Sequence, residues 1–335
     1  MIKKWYVGLD VHKRSTTYVV RDWNGHIAIE GECASDFRDV WSIIEPYAFC
    51  CKITLEASTY FYPLYNGFKS KNLEVIVANT IQLRKLIGKN DRLDARRLSD
   101  MLRFNAVPES FIPGKIVQDL RSLCLLRYNC VGERTRLKNQ IHAILDSEGI
   151  RIRVRTPFCK KWCAQLEEYI SKEQPFELRH LYEAQKQIQK RLEDIDKEIT
   201  RYVKKHFDKT SELLMSIPGI GHIWSAFLIA QIGTISRFSS KRKLRRYAGV
   251  IPVTDKSANK VKGEYIPKGS SRKLLRVVLV QAAHSAVKAK GKLQDYFLKK
   301  KKEKKYVQQA IMCVASSLCD ILYYVLTTGE PYNAQ

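Results

Sequence analysis

Apolar and polar positions alternate between residues 5 and 33, the pattern expected of half-buried β-strands. The runs WYVGLDVH and TTYVVRDW are rich in β-branched and aromatic residues. Asn24-Gly25 separates the second run from HIAIEGEC, and Asn-Gly between two such runs is a strong signal for a β-hairpin. The pattern therefore predicts three strands joined as a meander.

After the meander, the pattern alternates between helix and strand. It predicts a helix from about residue 36 to 47, a strand at CKITLEAS, a helix over roughly 60 to 70, a strand at LEVIVANT, and then a helical stretch that carries KNDRLDARRLSDMLRF. A three-stranded meander followed by alternating helix and strand is the order of an RNase H-like fold. We therefore predict an α/β RNase H-like domain over residues 1–112.

A long helical region is predicted next, over residues 113–208. Ile112-Pro113-Gly114 interrupts the pattern, one helix follows from about 116 to 149, and a second begins after Pro175. The second helix carries a seven-residue apolar repeat, formed by Leu181, Ile188, Ile195 and Tyr202 with Leu192 and Ile199. This coiled-coil-like seam is equally compatible with a helical hairpin within one chain and with a dimer contact.

The remainder, residues 209–335, is predicted to be a mainly α-helical domain that ends in two helices. Its SIPGIG motif resembles a helix-hairpin-helix, in which Gly219 and Gly221 would let the backbone approach a phosphate. The alternative is a tight turn between two packed helices. The basic run that follows, KRKLRR, adds Lys241, Arg242 and Lys243 as candidate nucleic-acid contacts.

The charge balance favours a polyanionic partner. Lys and Arg total 59 against 34 Asp and Glu, a net charge of +25 in 335 residues, so nucleic acid is the leading partner. We find no apolar run near the ~18 residues of a membrane-spanning helix and no signal-peptide pattern, and so expect a cytoplasmic protein with no membrane contact. The nine cysteines lack paired C-x-x-C spacing, so no zinc centre is expected.

Four acids are placed to converge in the predicted fold. Asp10 lies near the end of the first strand and Glu56 at the matching position of the fourth, and these strands are neighbours in an RNase H-like sheet. Asp91 and Asp94 are three residues apart, so they share one face of a helix that could pack over the same edge. Taken singly, a strand-end Asp is often a turn former, and D-x-x-D at a helix start is usually a capping motif.

Together, the four acids predict a metal site. Converging carboxylates repel one another unless cations lie between them. Two Mg²⁺ (or Mn²⁺) ions roughly 3.5–4 Å apart would satisfy Asp10, Glu56, Asp91 and Asp94 and would activate a water or hydroxyl for attack on a phosphodiester. The neighbouring basic residues are predicted to bind the nucleic-acid backbone; they are Lys89, Arg92, Arg96 and Arg97.

Ser257 lies in a polar stretch that is predicted to be a flexible loop. The basic residues around it are Lys256, Lys260, Lys262, Lys268 and Arg272, further candidates for nucleic-acid binding. A serine alone is a weak nucleophile, and no His base is adjacent in the sequence. From the residues alone, Ser257 is therefore an ordinary loop serine.

The order of motifs along nearly the whole chain resembles one known family. GLDVHK, LEAS, KNDRLDA, SIPGIG, YAGVIP, SANK and KGSSRKLLR together resemble the DEDD-type transposases of the IS110 group, which also includes the Piv-type DNA invertases. The resemblance implies a RuvC-like N-terminal domain with a DEDD metal site, a coiled-coil middle and a C-terminal transposase domain. It makes Asp10, Glu56, Asp91 and Asp94 the metal ligands.

The resemblance also implies a mechanism and partners. It makes Ser257 the nucleophile that forms a covalent phosphoserine with DNA, with Ser270 as the alternative, because Ser257-Ala258 stands where relatives often have Ser-Gly. The family implies a composite site shared between subunits of a dimer or tetramer. It also implies a structured noncoding bridge RNA that pairs with donor and target DNA.

We therefore predict a metal-dependent, RNA-guided DNA recombinase of an insertion sequence, associated with the nucleoid. One alternative is a structure-selective nuclease similar to the Holliday-junction resolvases, which would use the four acids and water. Another is a Piv-like invertase without an RNA guide. A third, from a different class, is a non-catalytic protein that binds RNA or DNA.

Overall fold

The computed structural model describes residues 4–58, 60–87, 95–251, 253–257, 260–265, 273–303 and 306–333. For residues 84–87, 253–257 and 260–265 it describes the backbone only. The chain forms two compact units, Met1–Ile112 and Pro113–Gln335.

The first unit is built on a mixed five-stranded sheet. Its strands are β1 (Trp5–Val11), β2 (Ser15–Arg21), β3 (Ile27–Ala34), β4 (Cys51–Glu56) and β5 (Glu74–Ala78). The strand order is β3-β2-β1-β4-β5, with antiparallel pairing among β1, β2 and β3 and parallel pairing of β1 with β4 and of β4 with β5. This arrangement confirms the predicted meander and the α/β character of the unit.

Helices cover the sheet. They are α1 (Phe37–Ile44), which continues into a 3₁₀ turn (Glu45–Cys50), α2 (Phe61–Ser70), α3 (Thr80–Ile87) and α4 (Ala95–Arg103). The core on one face joins alternate β1 residues to α1 and α2, and its fully or nearly fully buried members include Val7, Leu9, Val11, Ile44, Leu64 and Phe68. The other face of β1 belongs to α4, whose buried residues include Leu98 and Leu102.

The second unit begins with a long helical hairpin. Its helices are α5 (Lys115–Ser147), α6 (Lys160–Glu173) and α7 (Phe176–Met215). The heptad residues Ile188, Leu192 and Ile195 are buried in a core that α5 shares, so the seam packs within one chain. An ion pair between Arg127 Nε and Asp196 Oδ1, 2.5 Å apart, also joins α5 to α7. Of the two predicted alternatives, the structure thus shows a helical hairpin within one chain.

The remaining elements complete the second unit. They are α8 (His222–Ile232), a 3₁₀ turn (Ile235–Arg237), α9 (Lys241–Ala248), the antiparallel pair β6 (Val253–Ser257) and β7 (Lys260–Tyr265), α10 (Lys273–Ala286), α11 (Lys292–Glu303) and α12 (Val307–Thr328). One apolar core runs through α5, α7, α8, α9, α10 and α12.

The structure corrects four sequence predictions. The boundary at 208/209 is not a domain boundary, because α7 continues through it with a kink at Phe207 and the core is continuous. The segment around Ser257 is a hairpin rather than a loop. Three helices, not two, follow it among the residues that the structure describes. Val307–Thr328 is long and apolar enough to cross a membrane, yet one side of it is buried in the protein core.

Candidate active site

Asp10 and Glu56 occupy equivalent positions on two adjacent parallel strands. Leu9 of β1 is paired with Leu55 of β4, and each acid directly follows its paired leucine. Both acids are half-buried at the same edge of the sheet. The structure therefore brings together the two described members of the predicted carboxylate set.

Helix α4 begins on the face of the sheet that carries Asp10. Gly8 and Asp10 are two residues apart in β1, so they point to the same face. A Cβ atom on Gly8 would overlap the carbonyl oxygen of Ala95 and would lie 2.5 Å from the amide nitrogen of Ser99. Ala95, the first residue of α4, thus rests directly on β1 at Gly8, two residues along the strand from Asp10.

The other predicted residues of this site lie outside the described part of the chain. They are Lys89, Asp91, Arg92 and Asp94. Asp94 immediately precedes Ala95 in the sequence. Among the described residues, no group of three or more His, Cys, Asp or Glu side chains is arranged to hold a metal ion. Asp10 and Glu56 supply the oxygen ligands that Mg²⁺ and Mn²⁺ prefer, so the described residues fit such an ion as part of a larger set.

A cleft opens beside these two acids. It has a volume of about 540 Å³ and is lined by residues that follow Asp10 and Glu56 in the chain, namely Val11, His12, Lys13, Ser58 and Tyr60. His12 Nε2 lies 3.4 Å from Asp10 Oδ2. The sequence prediction missed His12 as a site residue, although it stands in the GLDVHK motif. The acids therefore adjoin a space lined by a lysine, a histidine and an exposed tyrosine.

Arg96 and Arg97 are exposed on the first turn of α4, as a nucleic-acid contact requires. Arg96 already forms two hydrogen bonds with Glu30 on β3, from Nε to Oε2 at 2.7 Å and from the second guanidinium nitrogen to Oε1 at 2.6 Å. These bonds from Arg96 lower the pKa of the Glu30 carboxyl below its ordinary value. The ion pair ties the start of α4 to the edge of the sheet.

The SIPGIG turn connects α7 to α8, and its two glycines have different surroundings. Gly219 has a φ of +86°, and a Cβ there would overlap the carbonyl oxygen of Ala282 on α10. Packing against α10 therefore accounts for this glycine, as in the predicted alternative of a tight turn between helices. Gly221 is exposed, has open space around it, and precedes the uncapped N-terminus of α8. It remains a candidate phosphate contact.

The basic residues of α9 face outward. Lys241, Arg242 and Lys243 are exposed, whereas Arg245 lies 3.2 Å from Asp320 of α12, measured from Nε to Oδ1. Ser240 caps the N-terminus of this helix, and its hydroxyl accepts a hydrogen bond from the Lys243 amide. The three outward side chains therefore form one cationic surface on a fixed helix.

Ser257 is the last residue of β6, and its backbone is paired with Lys260 of β7. Lys256 and Lys262 also lie in this hairpin, for which the backbone alone is described. Lys268, Ser270 and Arg272 fall outside the described residues. The hairpin follows α9 and precedes α10 in the second unit.

Comparison with known proteins adds the family. Residues 7–149 match a family model for a transposase of the DEDD, IS110 type, and residues 211–298 match the "Transposase IS116/IS110/IS902 family". Together the two matches cover well over half of the chain. The chain belongs to the IS110 family of DEDD transposases. The first match contains all four predicted acids of this IS110-family protein, and the second contains Gly219, Gly221 and Ser257.

Individual relatives of this IS110-family protein agree with the assignment. The chain is 26% identical to the transposase for insertion sequence element IS1111A of Coxiella burnetii over 73% of its own length and 69% of the relative's. It is 25% identical to the transposase for IS1328 of Yersinia enterocolitica, over 73% and 74% respectively. It is 29% identical to an uncharacterized 44.8 kDa protein of insertion element IS116 from Streptomyces clavuligerus, over 42% of the chain and 34% of the relative.

Proposed function

We propose that this IS110-family transposase cuts and rejoins DNA strands at a metal site formed by Asp10, Glu56, Asp91 and Asp94. The observation that carries the proposal is the equivalent placement of Asp10 and Glu56 on adjacent parallel strands, with α4 starting on the face that carries Asp10. The strand order also supports the finer assignment of the first unit as a RuvC-like fold. DNA as the substrate follows from the family, since transposases act on DNA.

In the proposed site, two Mg²⁺ or Mn²⁺ ions bound by the four acids would stabilise charge on the phosphate and lower the pKa of the attacking hydroxyl. Asp10 and Glu56 contribute carboxylate oxygens from a rigid sheet, which fixes their positions. Lys13 and Tyr60 line the adjoining cleft, where an ammonium and an aromatic ring would contact the backbone and a base of the bound strand.

For the chemical step we propose Ser257 as the nucleophile, with Ser270 as the alternative. The serine Oγ would form a bond to phosphorus as one P–O bond of the DNA breaks, and the leaving deoxyribose oxygen would take up a proton. The reverse attack by a strand-end hydroxyl would rejoin the DNA and free the serine, so no ATP is needed. The DEDD carboxylates by themselves suggest a different nucleophile, a metal-activated water, and this is the second candidate.

We further propose that a structured noncoding RNA, the bridge RNA, selects donor and target sites by base pairing. The exposed cations Lys241, Arg242 and Lys243 support this proposal, because such side chains bind nucleic-acid backbones without reading the base sequence. Sequence selection would then come from base pairing with the RNA. We also propose that the protein acts as a dimer or tetramer whose active sites are shared between subunits. It would act on DNA in the cytoplasm.

Two experiments test this mechanism. In the first, the protein is purified from its host cells and its bound nucleic acid is sequenced; a single structured RNA is expected, and heterogeneous RNA or none would leave a Piv-like recombinase.

In the second, DNA that carries the insertion sequence is incubated with protein and Mg²⁺, then resolved on a denaturing gel. Wild-type protein is expected to yield a covalent protein–DNA adduct that Ser257→Ala abolishes and Ser270→Ala retains. Cut DNA without any adduct would instead establish the nuclease mechanism with water.

A further inference from the structure

The segment that joins α5 to α6 alternates between half-buried and exposed side chains. Ile150, Ile152 and Val154 pack on a small core at the tip of the helical hairpin. The intervening Arg151, Arg153 and Arg155 are all exposed. The apolar residues thus anchor the segment, and the three guanidinium groups face solvent on a fixed support.

The core beneath the segment is substantial. It joins the ends of α5 and α7 to α6, and its buried residues are Ile141, Leu145, Trp162, Leu166, Leu178 and Tyr182. The Tyr182 hydroxyl donates a hydrogen bond to Glu167, 3.0 Å away, which adds a polar tie between α7 and α6. The arginine-bearing segment therefore belongs to a folded tip.

Among the described residues, none forms an ion pair with these arginines. Within residues 95–251, all of which the structure describes, no ion pair reaches Arg151, Arg153 or Arg155, although the exposed Asp146 and Glu148 are close in sequence. Two arginines on the helices of the hairpin, by contrast, form ion pairs within the chain, Arg127 with Asp196 and Arg201 with Glu198. The guanidinium groups at the tip are therefore available to a partner from outside.

Further cations extend this surface. Lys160 and Lys161 are exposed in the first turn of α6, a helix with no side-chain N-cap. The amide groups at such a helix start add partial positive charge to that of the lysines. Lys138 lies over the ring of Phe158, 4.4 Å from its centroid, at the same tip. We name the surface formed by Arg151, Arg153, Arg155, Lys160 and Lys161 the tip surface.

We propose that the tip surface binds the phosphate backbone of duplex DNA. Guanidinium groups bind phosphate oxygens through paired hydrogen bonds, and they do so without reading sequence. The tip lies roughly 16 Å along α5 from the larger core, counted from Cys130, the last buried α5 residue of that core, to Ile141 at about 1.5 Å per residue. A contact there lengthens the DNA held by one subunit.

This inference rests on the proposed function only in requiring that the protein binds DNA. The tip surface lies between residues 149 and 211, a part of the chain that neither family model covers. We commit to DNA because it is the substrate that the family assigns, and RNA binding by the same surface is an outcome that the experiment separates.

The test measures DNA affinity by fluorescence anisotropy, using the full chain in EDTA so that no strand is cut. The probe is a labelled DNA duplex of arbitrary sequence, titrated at several salt concentrations. The test variant combines Arg151→Gln, Arg153→Gln and Arg155→Gln. The control variant removes the same charge from exposed positions of α7 away from the tip by Arg191→Gln, Arg201→Gln and Lys205→Gln. A third variant replaces the tip arginines with lysine.

Each phosphate contact contributes about one unit to the slope of log affinity against log salt. The tip variant is therefore expected to lower that slope by about two to three units, and the control variant by less than about one unit. The lysine variant is expected to retain most of the wild-type slope. An equal loss of salt slope in the tip and control variants, or no loss in either, would overturn this inference and leave the proposed function intact. Loss of binding to an RNA hairpin with unchanged DNA binding would also overturn it. Absence of DNA binding by the unaltered protein would overturn the proposed function as well.

Discussion

At the scale of single residues, the candidate site depends as much on Gly8 as on the acids. Any side chain at this position would overlap the backbone at the start of α4, so the glycine allows the helix to rest on β1. The sequence places Gly8 two residues before Asp10, yet nothing in the local pattern indicates which element packs on it. The alignment of Asp10 with Glu56 was predictable from strand order alone, whereas the position of the neighbouring His12 depends on a side-chain contact.

Gly8→Ala is expected to displace α4 from the sheet. The added methyl group overlaps backbone atoms that cannot rotate away, and such overpacking costs about 1–3 kcal/mol of unfolding free energy. Thermal unfolding should show a lower Tm, and recombination should fall because α4 follows the acidic Asp91–Asp94 segment. The matched control is Gly132→Ala in α5, where a Cβ meets nothing within 4 Å and should raise the Tm slightly. Equal Tm values for Gly8→Ala and wild type would contradict this account.

The ion pair between Arg96 and Glu30 makes a pH-dependent contribution to stability. Arg96 lowers the pKa of Glu30 in the folded protein below its ordinary value of 4.5. A carboxyl whose pKa is lower in the folded than in the unfolded protein stabilises the fold at pH values above its pKa in the unfolded chain. That stabilisation is lost as the pH falls through its pKa in the folded protein. The Tm difference between wild type and Arg96→Gln should therefore be constant near neutral pH and disappear in acid below about pH 4. A difference that grows in acid would exclude this origin.

At the scale of elements, periodicity predicted most of the fold. The five strands, the helices around them and the long pair α5 and α7 follow from alternation and from the heptad pattern. The hairpin of β6 and β7 was missed because its residues are mostly polar and charged, so no apolar face marks it as a sheet. The tip surface was missed although RIRVR alternates strictly, because the segment is irregular and its apolar residues fill a helical core.

The SIPGIG turn separates a packing role from a binding role. Gly219→Ala should lower the Tm markedly, because the position has a positive φ and the methyl group would overlap α10. Gly221→Asp should preserve the Tm, since Asp is a favourable N-cap and the space there is open. The same Asp would place a negative charge at the candidate phosphate contact, so DNA affinity measured by anisotropy should fall. Unchanged affinity for Gly221→Asp would remove the turn from the DNA interface.

At the scale of the whole molecule, the chain combines two units with separate cores. The carboxylates belong to Met1–Ile112, and the candidate serine belongs to Pro113–Gln335. The division at 112/113 was readable from Ile112-Pro113-Gly114, which interrupts the apolar pattern. The expected second division was wrong because the core of α8 to α12 also contains the long helices, and a shared core cannot be read from a local pattern. The proposed chemistry requires the acids and the serine to act on one DNA.

The most direct test of the metal-site proposal is recombination in cells. A plasmid that carries the insertion sequence with its flanking DNA is combined with wild-type protein, Asp10→Asn, Glu56→Gln or the control Glu74→Gln. Glu74 is a carboxylate at the start of β5, paired with Lys52 2.6 Å away. Sequencing of new DNA junctions should find them with wild type and Glu74→Gln, and a reduction of at least about 10²-fold with Asp10→Asn and with Glu56→Gln. Junctions at wild-type frequency with either of the last two variants, both stably folded, would contradict the carboxylate metal site.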